Sequence, residues 1–168
     1  MKDVMTHNSV YSIYKYYGRE KELATMLHNG MDVLDAMPDA IEEFGTNVLL
    51  DVGINELLDI LIGDSANVFD NANTTIGVGD DDTVADSSQT DLIGSNTKYN
   101  SMDSGYPSVA GTTVTFRATF ADDDANFDWN EFVIKQSVSG ICLNRKVDDK
   151  GTKTSGDIWV AQIAITLT

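Results

Sequence analysis

The sequence predicts a mainly β protein: an antiparallel β-sandwich with an N-terminal helical segment and one packed helix. Two runs of strict alternation and a set of regularly spaced turn clusters carry that prediction. In Thr113-Val114-Thr115-Phe116-Arg117-Ala118-Thr119-Phe120, the apolar Val114, Phe116, Ala118 and Phe120 fall on one face. From Ile158 onward, Trp159, Ala161, Ile163, Ile165 and Leu167 share a face. The opposite face of that run is also partly apolar, which suits a central strand or one covered by a neighbour. Shorter strand candidates lie at 74–78, 129–135 and 141–147. Gly77 to Asp82, Gly105-Tyr106-Pro107 with Gly111, and Asp122 to Asp124 punctuate these runs as turns. About seven to nine short strands at this spacing describe a sandwich.

Ahead of these strands the pattern changes. Ile54, Leu57, Leu58 and Leu61 fall at i, i+3, i+4 and i+7, and Gly63 follows as a terminator, so a helix is expected over about residues 53 to 62, packed on the sheet. Asn47-Val48-Leu49-Leu50 reads as a short strand before it. Residues 1–45 read as helical: Tyr11, Ile13, Tyr14, Tyr16 and Tyr17 open the zone, then Leu23, Met26, Leu27, Met31, Leu34 and Met37 recur at steps of mostly three and four. The chain thus divides into a helical anchoring segment, 1–45, and a sandwich module, 46–168. The stripe of Met and Tyr serves either as a core face or as a surface docked on a partner, with Tyr11, Tyr14, Tyr16, Tyr17, Met26 and Met31 as the candidate contacts.

Charge narrows the partners. The 168 residues carry a net charge of −16, with 21 Asp against 6 Glu and only 8 Lys and 3 Arg. Nucleic acid and anionic membranes both bind through Lys and Arg, so neither is an expected partner. Short acidic side chains with few lysines suit a protein kept soluble in strong salt, which makes a halophilic source the expectation. No stretch approaches the roughly 20 apolar residues of a membrane span, and residues 1–10 lack a secretory pattern. The single Cys142 sits in the apolar Ile141-Cys142-Leu143, as a buried inert thiol does.

Chemistry is sparse. Asp122, Asp124, Asn126 and Asp128 place oxygen ligands at alternating positions, as a calcium loop does, although Phe127 and Val133 stand where such a loop has Gly and Glu. Solvated loop charge is the competing reading. Glu131, between Trp129 and Phe132 in the run Trp129-Asn130-Glu131-Phe132, is the one acid with an aromatic setting; it suits a sugar subsite or an acid bonded to loop backbone. His7 and His28 lie far from the β region, and no Gly-x-Ser-x-Gly elbow occurs. Gly77-Val78-Gly79-Asp80 is followed by no Lys, which removes a phosphate loop. Neither catalysis nor a cofactor is expected.

An ordered set of motifs carries a resemblance. Asn47-Val48-Leu49-Leu50-Asp51-Val52-Gly53-Ile54-Asn55-Glu56-Leu57-Leu58 precedes Asn73-Thr74-Thr75-Ile76-Gly77-Val78-Gly79-Asp80 and Thr83-Val84-Ala85-Asp86-Ser87-Ser88-Gln89-Thr90-Asp91-Leu92. Thr113-Val114-Thr115-Phe116, Ala125-Asn126-Phe127-Asp128-Trp129-Asn130-Glu131, Leu143-Asn144-Arg145-Lys146 and Gly151-Thr152-Lys153 follow. Over about residues 46–168 this order resembles small virion structural proteins of tailed bacterial and archaeal viruses, and more distantly the β-module of phage tail-fibre and collar proteins. The resemblance implies a non-enzymatic component of the virion, made in the host cytoplasm. It would be a capsid decoration, turret-type or minor capsid protein, assembling as a symmetric homo-oligomer with other virion proteins. A tail-fibre or baseplate appendage, or a host-glycan adhesion module stacking sugars on Trp129, Tyr106 or Tyr99, is the alternative. It further implies close packing at Gly77 and Gly79, a turn capped by Asn126, backbone amides held by Glu131, and assembly contacts at Arg145 and Lys146. The loops depart from that pattern by being far more acidic at 80–82 and 122–124.

Overall fold

A computed structural model describes residues 6–168. In chain order the elements are β1 (His7–Tyr16), α1 (Glu20–His28), β2 (Ala40–Gly45), β3 (Val48–Leu49), α2 (Asp51–Ile62), β4 (Thr74–Gly79), β5 (Thr97–Ser101), β6 (Ser108–Ala110), β7 (Thr113–Phe120), β8 (Glu131–Gln136), β9 (Cys142–Val147) and β10 (Ile158–Leu167). They make two antiparallel five-stranded sheets, with strand orders β2-β1-β10-β7-β6 and β3-β9-β8-β4-β5. The mainly β sandwich is therefore the fold.

The alternating runs point inward as the sequence predicts. Phe116, Ala118 and Phe120 of β7 and Trp159, Ala161, Ile163 and Ile165 of β10 join Ile76, Val78, Phe132 and Ile134 of the facing sheet in one core. Register fixes the rungs: Tyr11, Ile163 and Phe116 stand side by side across three strands. Trp129 sits at the centre, its ring edge-on to Phe120 and Trp159 at centroid distances of 4.8 and 4.9 Å. β10 is a central strand, and its second face is covered as well. Ile158 and Val160 pack beneath α1 and a 3-10 turn at Val33–Asp35, together with Tyr16, Leu23 and Ala36.

The front of the chain departs from the expectation. Residues 7–16, expected to be helical, form the ten-residue β1, which lies between β2 and β10. Aromatic and aliphatic residues occupy both faces of this strand, because both are buried: Tyr11 and Ile13 point into the sandwich, and Tyr16 points under α1. Two superposed period-two stripes reproduce the three- and four-residue spacings of a helix. Among the described residues of this zone, helical structure is confined to α1 and the 3-10 turn. Residues 6–45 are thus woven into the sheet and do not stand apart from the module; residues 1–5 of the zone lie outside the described residues.

Candidate functional site

The proposed calcium loop is already occupied by a cation of the protein itself. Lys153, wholly buried, reaches into the turn after β7, where its ammonium donates to Ala121 O at 2.6 Å, Asn126 Oδ1 at 2.9 Å and Asp122 O at 3.3 Å. Burial lowers the Lys153 pKa, and the carboxylates of Asp157, Asp124, Asp122 and Asp123 act against that shift. The other candidate ligands are engaged elsewhere. Asp124 pairs with Lys98 at 2.7 Å and accepts from Asn100, Asp128 accepts from Thr152, and the Asn126 amide donates to Asp122 O. Asp122, Asp124, Asn126 and Asp128 therefore do not converge on a vacant centre. Among the described residues no group of three acids, histidines or cysteines has metal-binding geometry.

Glu131 is likewise a structural acid. Its carboxylate accepts from the backbone amides of Gly94 at 2.7 Å and Ile93 at 3.1 Å, and pairs with the Arg145 guanidinium at 2.7 Å; both side chains are fully buried. Arg145 in turn donates to Thr83 O at 2.8 Å and Gln89 Oε1 at 3.0 Å. The pair thereby ties the irregular segment 80–96 to the outer face of β8 and β9. A side chain at Gly79 or Gly94 would overlap the Glu131 carboxylate, and a Cβ at Gly77 would lie 2.6 Å from the Tyr99 ring. Nearby, burial and the adjacent Asp91 carboxylate raise the Cys142 thiol pKa well above its ordinary value, which disfavours the thiolate.

The candidate contact residues divide sharply. Tyr11, Tyr16 and Arg145 have no exposed surface and cannot meet a partner. Tyr14 and Met26 are half-buried against the cluster beneath α1. Lys146 is half-buried and near Asp148. Tyr17 and Met31 are the accessible ones, about half exposed at 50% and 47%. The sugar-stacking candidates fare no better: Trp129 is buried, while the Tyr106 and Tyr99 rings carry the Arg117 guanidinium and the Lys135 ammonium at 4.4 and 4.5 Å.

An exposed apolar face lies elsewhere, on α2 and the adjoining open end of the sandwich. α2 packs on β9, but through Gly53 and Glu56 rather than through its apolar stripe. A Cβ at Gly53 would stand 2.5 Å from Leu143 O, so glycine is what lets the helix backbone press onto the strand. Glu56 is satisfied by the Ser65 hydroxyl at 2.7 Å. The stripe consequently points outward, with Leu57 42%, Leu58 55%, Leu61 79% and Ile62 69% exposed. Leu57 also borders a groove of about 470 Å³ between the two sheets, walled by Leu49, Leu143, Val109, Val114, Ile165 and Leu167 among others, with no charged residue in its lining.

No family profile, curated protein or solved structure matches this chain.

The apolar face was half-visible in the sequence. The heptad-like spacing of Ile54, Leu57, Leu58 and Leu61 located the helix, and the orientation followed from the two residues that spacing leaves out. Val52, Ile54, Leu57, Leu58, Ile60, Leu61 and Ile62 spread apolar surface over more of the helix than one buried face can take up. Gly53 and Glu56, one turn apart, mark the side that touches the sheet.

Proposed function

We propose that this protein is a non-enzymatic structural component of a tailed-virus particle, a capsid decoration, turret-type or minor capsid protein that works by occupying repeated sites. The observation that carries this reading is the contrast between an acidic body whose buried ions bond to its own atoms and an apolar helix face left open beside a groove with no charged lining. An exposed apolar patch of this extent on a soluble body is the mark of a protein contact. Several residues behind the resemblance to virion proteins are joints of the fold. Gly77 and Gly79 admit close side chains, Asn126 closes a turn, Glu131 holds loop amides, and Lys153 fills the acidic turn. A tail-fibre or baseplate position is the second reading within the same class; sugar stacking is disfavoured by the coverage of Trp129, Tyr106 and Tyr99.

Gold labelling of a tagged copy on purified intact particles tests this. Regular label over the shell is the expected result, and label confined to the tail would select the appendage reading. Particles that carry no label, from a culture that makes the protein, would overturn both.

A further inference from the structure

We propose that the apolar face of α2 and the groove beside it is covered by the same face of a second copy of this chain, in a twofold pair that tightens as salt rises. The inference rests on reading that face as a docking surface.

Size is the first argument. Leu57, Leu58, Leu61, Ile62, Val109 and Leu167 are between 42% and 79% exposed. Together they present on the order of 600 Å², at the upper end of the largest patch on an ordinary monomer and close to the share each partner contributes to a stable interface. Protruding side chains and a 470 Å³ groove lie on one continuous face, since Leu57, Val109 and Leu167 themselves line the groove. A surface that carries both knob and hole can complement itself about a twofold axis, where residue i meets j and j meets i.

Charge selects the occupant. Among the described residues, every Lys and Arg except Lys21 is in an ion pair or, for Lys153, bonded to loop oxygens. The remaining surface is therefore acidic nearly everywhere, and copy-on-copy contact through it sets like charges together. The groove lining carries no charge, so this face is where two chains of net charge −16 can meet. A partner guided by basic residues is drawn to the acidic faces instead. The two modes have opposite salt signs. Screening relieves repulsion between two acidic copies and weakens attraction to a basic partner, as the Debye length shrinks from about 10 Å at 0.1 M to about 3 Å at 1 M.

Sedimentation of the whole protein at about 0.1 M and about 1 M salt reads the sign directly. The expected result is a shift from the 18.3 kDa monomer toward a dimer, with the dissociation constant falling about tenfold or more. The Leu58→Asp/Leu61→Asp double variant is expected to stay monomeric at both salts with an unchanged circular dichroism spectrum, because both side chains already face solvent. Leu61→Met keeps the dimer. A wild-type monomer at both salts, a dimer that persists in the double variant, or a dimer that loosens with salt would each overturn the proposal. Wild-type monomers that still label particles, with label lost in the double variant, would overturn the second copy as occupant while leaving the particle reading intact. Salt-tightened dimers without particle label would do the reverse.

Discussion

The Arg145 guanidinium lies 2.7 Å from the Glu131 carboxylate, and neither side chain exposes any surface. Such a pair is held by completeness: each ion has spent its remaining bonding capacity on the 80–96 segment. Removing one partner leaves a buried charge without its counterion, which costs about 3–5 kcal/mol. Arg145→Met is therefore expected to lower unfolding stability by that amount in a denaturant titration. Glu131→Gln combined with it costs less than the two single losses added, because the second change removes the orphaned charge. Proteolytic nicking within 80–96 should accelerate in either single variant.

Lys153 makes a second prediction. Because its ammonium fills the acidic turn, a calorimetric titration of the protein with calcium is expected to give no binding heat. Lys153→Met leaves Ala121 O, Asp122 O and Asn126 Oδ1 without their donor and should lower stability by about 2–3 kcal/mol, read from thermal melts. Calcium heat in the unaltered protein would remove this account of the turn.

Acid should unfold the protein through a definable set of carboxylates. For Asp32, Asp91 and Asp124, burial alone would raise the pKa. Hydrogen bonds outweigh it, from Arg117 to Asp32, from Lys135 and Tyr99 to Asp91, and from Lys98 and Asn100 to Asp124, so each pKa is lowered. A folded pKa below the unfolded one gives stability that is fully present above the unfolded value of about 3.9 and is lost as pH falls through the folded values. The melting temperature is expected to fall steeply below about pH 4, where these groups take up protons. Replacing Asp91 by Asn should flatten that limb.

Uncompensated acid also predicts a salt response at neutral pH. With a net charge of −16, self-repulsion is relieved by screening, so the melting temperature should climb with added salt and the protein should unfold on dialysis to low salt. The response should fade near the isoelectric point of about 4.1. A melting temperature indifferent to salt at pH 7 would remove the proposal of a halophilic source.

Where side chains alternate between a buried and a solvated face, the sequence was sufficient. β7 reads as a strand because Thr113, Thr115 and Thr119 separate Val114, Phe116, Ala118 and Phe120. β1 did not, because Tyr11 and Tyr16 are buried on opposite faces and the alternation of polarity that reveals a strand is lost; the β-favouring run Tyr11, Ile13, Tyr14 and Tyr16 was the remaining signal. The content of the acidic turn was illegible for a different reason. Its cation comes from Lys153, about thirty residues away, and linear spacing holds no record of what tertiary contact brings into a loop. The apolar stripe of α2 was located correctly and turned the wrong way, since amphipathic spacing reports that a face exists and not which surface covers it.

β10 is inserted between β1 and β7, so the last strand of the described residues is the middle rung of its sheet. Until residue 167 has left the ribosome, β1 and β2 on one side and β6 and β7 on the other have no common backbone partner. Pairings such as His7 with Leu167 join residues far apart in sequence, and long-range strand pairing of this kind slows folding. Nascent chains therefore carry unpaired strand edges until synthesis passes that point, a window in which they are open to capture by chaperones or by one another.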